Sequence, residues 1–105
     1  IRNDVAYASA KAAMIGLMRG LALDEASNAI TVNAIAPGWV ATESQTPSEA
    51  LHSAATPLGR AGTPDEMASA VAWLCTPGAA YVTGQMIVID GANSLPEQRF
   101  LPPTK

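Results

Sequence analysis

The sequence predicts an α/β fold that is short of strands, and three observations predict it. Two β-branched or apolar runs end at glycine turns, helical patterns lie before and between them, and charge is scarce. The order reads helix, strand, short helix, helix, strand, and strands alternating with helices point to a parallel sheet. Two parallel strands are too few to stand alone, because such a sheet needs both faces covered and its edges paired. The chain has 105 residues, of which 49% are hydrophobic and 14% charged, against a usual charged share of about 25%. A small domain has a large surface for its volume. With so little charge to cover it, part of that surface is expected to be buried against something else.

Asn3 and Asp4 are helix-capping types, and no proline interrupts the chain from Val5 to Ala26. Alanine, leucine and methionine dominate there, all strong helix formers. Met14, Ile15, Leu17, Met18, Leu21 and Leu23 go most of the way round this helix, so more than one face is expected to be buried. Gly16 and Gly20 form a G-x-x-x-G among other small residues. Arg19 between them and the short flanks favour close packing in water over a membrane dimer. The β-branched run Ile30 to Ile35 reads as a strand ended by Pro37-Gly38. Two T-P-x-E segments follow, Thr46 to Glu49 and Thr63 to Glu66. Each predicts a capping box, with the threonine capping, the proline first in the helix and the glutamate reaching back. The first opens a short helix ending before Pro57. The second opens a longer one through Met67, Val71 and Leu74, ending near Pro77-Gly78, with Cys75 and Trp73 as packing groups on it. Gln85 to Ile89, between Gly84 and Gly91, reads as a buried strand. From Leu95 onward Pro96, Pro102 and Pro103 make a loose tail, so residues 1–94 form the folded part and 95–105 the tail.

Composition excludes several function classes. A net charge of −3 argues against a basic nucleic-acid face. One cysteine forms no internal disulfide, and one cysteine with one histidine makes no zinc site. These residues suit a reduced compartment such as the cytoplasm. No apolar run reaches the roughly 18 residues that span a bilayer, and no signal peptide is recognisable. The chain starts at Ile1 within a helix-entry pattern and is expected to be a piece of something longer.

Tyr7 and Lys11 lie four apart and share one helix face. A phenol ordinarily ionises near pH 10, and both a fixed ammonium and a helix N-terminus favour its charged form. Such a phenol can act as general acid or base. On the spacing alone, a packed tyrosine beside a solvated lysine is the commoner arrangement. Pro37-Gly38, in turn, presents backbone groups at the carboxyl edge of a parallel sheet, where ligands of such folds bind. His52, in the short helix, reads as a surface histidine; Trp39 is placed to border a pocket.

Tyr7-Ala8-Ser9-Ala10-Lys11 resembles the Y-x-x-x-K signature of the short-chain dehydrogenase/reductase family. Asn33 through Thr42 resembles that family's N-x-x-x-P-G-x-x-x-T segment. Pro57-Leu58-Gly59-Arg60, Pro64-Asp65-Glu66 and Thr83-Gly84-Gln85 through Asp90-Gly91 are similar to its C-terminal blocks, closest to the 3-oxoacyl-carrier-protein reductase type. The resemblance implies the C-terminal portion of a Rossmann-like doubly wound parallel sheet, incomplete alone. It implies Tyr7 as proton donor and acceptor, and Lys11 as its partner and a ligand of the cofactor ribose. Pro37, Gly38, Val40 and Thr42 would line a nicotinamide pocket for NAD or NADP, the Val40 backbone holding the carboxamide. It further implies hydride transfer to or from a small carbonyl or secondary alcohol, and assembly as a homodimer or homotetramer. The family's glycine-rich pyrophosphate loop and catalytic serine have no counterpart in this sequence, and their expected place is upstream of Ile1. The 105 residues are therefore expected to be inactive alone, with a non-catalytic role in subunit association as the alternative. Ala29 and Ala92 stand where many relatives carry glycine, so Asn28 is expected to take the left-handed turn instead.

Overall fold

The computed structural model describes residues 4–95. Asn3 and the expected tail from Pro96 onward lie outside the described residues. Helix α1 spans Asp4–Glu25 and runs into a single 3-10 turn, Ala26–Asn28. Strand β1 (Ala34–Pro37), helices α2 (Pro47–Ala54) and α3 (Pro64–Leu74), a 3-10 turn at Pro77–Ala79 and strand β2 (Met86–Ile89) follow. This is the order that the sequence predicts. β1 and β2 pair in a two-stranded parallel sheet. The Ala34 amide donates to the Gln85 carbonyl at 2.9 Å and the Gly38 amide to the Ile89 carbonyl at 3.0 Å, one register at both ends. The described residues form two compact units, 4–34 with 72–87 and 35–71 with 88–95.

In the first unit Met18 and Ala22, one helical turn apart, are the buried residues of α1. A Cβ placed on Gly84 would sit 3.6 Å from the Ala22 Cβ, so the helix and the turn before β2 meet closely. The expectation of several buried faces is not met within this chain. Met14, Leu17 and Leu23 are exposed, and nothing lies within 4 Å of a Cβ built on Gly16 or Gly20. The strand expected over Ile30 to Ile35 also shifts, beginning at Ala34. Side chains take the ladder's place before it. The Val32 amide donates to the Thr83 hydroxyl at 3.0 Å, while Asn33 donates to the Val82 carbonyl at 2.9 Å and accepts from the Gln85 amide at 3.1 Å. Asn28 does not take the left-handed turn; Ala29 does, at φ 58°, ψ 29°. Asn28 instead donates to the Glu25 carboxylate at 3.0 Å. Cys75 and Trp73 are exposed rather than packed; α3 stops at Leu74, so Cys75 falls in the turn that closes the last carbonyls of the helix. There the Thr76 hydroxyl donates to the Trp73 carbonyl at 2.6 Å.

In the second unit both capping boxes form. The Glu49 amide donates to the Thr46 hydroxyl at 3.1 Å and the Thr46 amide to the Glu49 carboxylate at 2.8 Å. The Thr63 and Glu66 pair repeats this geometry at the head of α3. After β2 the chain reverses over Gly91 and Ala92, at φ 61° and 72°, with the Asn93 amide donating to the Asp90 carbonyl at 3.0 Å. Positive φ at both central residues is what a type I′ turn requires. Ala92 thus keeps the conformation a glycine would hold.

Candidate active site

Tyr7 sits on the fourth residue of α1 and Lys11 one turn later. The lysine Nζ lies 5.4 Å from the centroid of the Tyr7 ring, within the range of a cation over an aromatic face. The helix brings this pair together by its own periodicity, and alanines at 6, 8 and 10 leave both side chains uncrowded. Tyr7 is 67% exposed, so an external molecule can reach its hydroxyl.

The other predicted site residues lie in the second unit, on the segment that leaves β1. Pro37 is the last residue of β1. Its missing amide costs the pairing nothing because it lies on the edge away from β2, while the Gly38 amide still donates to the Ile89 carbonyl. Gly38 follows because nothing larger fits: a Cβ there would stand 2.7 Å from the Asp90 Cβ and 3.0 Å from its Cα. Val40 then forms an isolated parallel bridge with Gly62. The bridge is made by its neighbours, since the Gly62 amide donates to the Trp39 carbonyl at 2.8 Å and the Ala41 amide to the Gly62 carbonyl at 2.8 Å. In a parallel bridge of this kind the intervening residue turns its own amide and carbonyl to the opposite side. Among the described residues, the Val40 N–H and C=O have no hydrogen-bond partner. Thr42 is exposed, its hydroxyl 3.2 Å from that of Ser44.

A donor and an acceptor on one residue match the acceptor and donor of a primary carboxamide, so the Val40 backbone fits the nicotinamide role that the resemblance implies. Burial alone does not mark this position. The sequence signal for it is the Pro-Gly that ends β1 two residues earlier.

Two further features of this unit escape a reading of the sequence. Arg60 forms a two-pronged ion pair with Glu66, both bonds 2.9 Å, while Glu66 also caps α3. The Arg60 hydrogen bonds first, then the Thr63 amide, hold the Glu66 carboxyl down at about 2. The capping motif announces Glu66 but not its second partner. The other feature is Trp39, whose ring stacks on that of His52 with centroids 5.5 Å apart and planes inclined by 20°. Asp90, at the turn after β2, is also held below the usual carboxylate range, by hydrogen bonds from the Ser94 side chain and then the amides of Ser94, Ala92 and Asn93. That turn anchors the wall against which Gly38 is pressed. No group of histidine, cysteine and carboxylate residues suited to a metal ion occurs among the described residues.

A family profile described as Enoyl-(Acyl carrier protein) reductase matches residues 1–92. Protein FixR of Bradyrhizobium diazoefficiens is 48% identical over 86% of this chain and 33% of its own length. The 3-oxoacyl-[acyl-carrier-protein] reductase FabG of Vibrio cholerae is 43% identical over 81% of this chain and 36% of its own. The crystal structure of acetoin dehydrogenase from Enterobacter cloacae superposes with a TM-score of 0.79 at 41% identity, covering 97% of this chain and 40% of that one. The chain therefore spans between a third and two fifths of the length of these relatives.

Proposed function

Because the chain belongs to the short-chain dehydrogenase/reductase family, we propose that it carries the proton-transfer residues and nicotinamide contacts of an NAD(P)-dependent oxidoreductase. The observation that carries this reading is the Tyr7 and Lys11 pair, with the ammonium 5.4 Å from the ring centroid on one exposed helix face. Tyr7 gives its phenolic proton to the oxygen of a small carbonyl, or accepts it from a secondary alcohol. Lys11, whose ammonium lies over the Tyr7 ring, donates to the ribose hydroxyls. The Val40 amide and carbonyl hold the carboxamide, while Pro37 and Gly38 keep that backbone at the strand end and Thr42 lines the segment beyond it. The nicotinamide supplies or takes up the hydride when bound. The setting is the cytoplasm, and the working form is a homodimer or homotetramer.

A second reading, a non-catalytic chain that serves only in subunit association, is favoured by the exposed Leu17 and Leu23 of α1. A chimera separates the two. This chain replaces the matching portion of the Enterobacter cloacae acetoin dehydrogenase, and acetoin turnover is followed through the nicotinamide absorbance. The chimera is expected to turn over, and Tyr7→Phe to cost about 100-fold or more in kcat with an unchanged melting temperature, as removal of a general acid does. The isolated chain is expected not to enhance NADH fluorescence. Near-full turnover by the phenylalanine variant would falsify the role of Tyr7, and a folded but inactive chimera would favour association alone.

A further inference from the structure

Helix α2 is eight residues long and has little to hold it. A helix this short is marginal without tertiary contacts, yet Leu51 is exposed and Ser53 is its only buried residue. Its capping box closes its own first turn. Ser53 accepts a hydrogen bond from Gln45 at 3.1 Å, which ties the helix to the connection before it.

The stack of His52 on Trp39 has a different reach, because Trp39 belongs to the strand-end segment. That residue is fixed from both sides. Gly38 before it is jammed on Asp90 and bonded to Ile89, and its own carbonyl accepts the Gly62 amide. The imidazole is fixed as well. Its Nδ1 lies 2.8 Å from the Ser48 carbonyl oxygen, and a carbonyl only accepts, so Nδ1 carries the hydrogen and the ring plane is set by α2 itself. Two aromatic planes, each oriented by its own backbone, meet at 5.5 Å and 20°, an offset-stacked pair of the favoured kind. The stack therefore joins a rigid post to a short, weakly held helix.

The geometry points to the Trp39 and His52 stack as a latch that holds α2 closed on the segment carrying Val40, and whose release frees α2 to move. The latch rests on the proposed function only for what the closed helix would guard, the unpaired Val40 amide and carbonyl. Its test reads α2 directly and involves no cofactor or turnover, so either idea can fail without the other.

His52 is the sole histidine and Trp39 one of two tryptophans in the 105 residues, which makes the test clean in this chain. Nuclear magnetic resonance reads the His52 ring protons, expected to be shifted by the indole ring current. Amide hydrogen exchange reads α2. His52→Ala should speed exchange of the Leu51–Ala55 amides by about threefold to tenfold, the range an aromatic pair supplies. Exchange at Ala41 and Gly62, in the bridge beside Trp39, should not change, and His52→Phe should restore α2 because it keeps the stack. Ring protons at random-coil positions in the parent chain would overturn the latch. So would unchanged α2 exchange in the alanine variant, equal loosening at Ala41 and Gly62, or failure of phenylalanine to restore it.

Discussion

Ala29 and Ala92 both hold backbone conformations that glycine adopts without strain, at φ 58° and 72°. For an L-residue with a Cβ, the left-handed region costs about 1–2 kcal/mol. Glycine escapes that cost but gives back part of it through the greater freedom of its unfolded chain, roughly 0.4–1 kcal/mol. Ala29→Gly and Ala92→Gly should therefore each stabilise the fold by about 1 kcal/mol, read as a rise in the urea midpoint at constant slope. A loss of stability at either position would show that the side-chain methyl packs more than it strains. The residues of the candidate site were legible to different degrees for related reasons. Tyr7 and Lys11 follow from helix periodicity, a purely local property, and their pairing is what the structure holds. The unpaired backbone of Val40 depends on Gly62, a partner far along the chain, and no pattern around residue 40 announces that bridge. The stack of Trp39 on His52 is hidden for the same reason.

The helices α2 and α3 begin where their capping boxes say they should, because a capping box is complete within four residues. β1 begins four residues later than its β-branched run suggests, because Thr83 and Asn33 intercept the backbone groups of residues 32 and 85. β-propensity reports a fit to a pleated surface and not which hydrogen bonds are available. The cap of α3 carries a pH dependence that can be worked out in sign. Glu66 has its carboxyl held at about 2, against an ordinary value of 4.5, by Arg60 first and then by the Thr63 amide. A carboxyl depressed in the folded state adds stability that is complete above its unfolded value, and that stability is lost as pH falls through the folded one. The parent should therefore lose stability between about pH 4.5 and about 2 more steeply than Glu66→Gln, which keeps the shape and removes the titration. Both partners are exposed, so salt should narrow the difference between the two chains. Equal slopes of urea midpoint against pH in parent and variant would show that the fork forms without stabilising the fold.

The whole chain presents more apolar surface than its few charged residues can offset. On α1 alone Leu17 is 63% and Leu23 81% exposed, and Tyr81, between α3 and β2, is fully exposed. The two-stranded sheet leaves one edge of each strand unpaired among the described residues, and an open edge invites another chain. No helix among the described residues is long and apolar enough to cross a membrane, so a bilayer-spanning helix does not account for the apolar face of α1. Contiguous apolar surface of more than a few hundred Å² usually marks an interface between proteins. The scarcity of charge foretells this, since composition already shows that 14% charged residues cannot cover a small domain. Which side chains stay uncovered is a different matter, set by which face of α1 meets the turn at Gly84 and legible only in the structure. The chain should therefore associate in solution, with α1, α3 and β2 supplying the contacts. Sedimentation across a wide concentration range should give a species heavier than 10.8 kDa. Leu17→Glu with Leu23→Lys should shift it toward the monomer without loss of helical signal, because both positions are exposed and the new charges sit in water unless a partner buries them. A folded parent chain that stays at the monomer mass at high concentration would refute association. A double variant that associates as strongly as the parent would move the interface from α1 to the sheet edge, where a proline at Val88 would be the next change to make, since it removes an amide from an exposed edge.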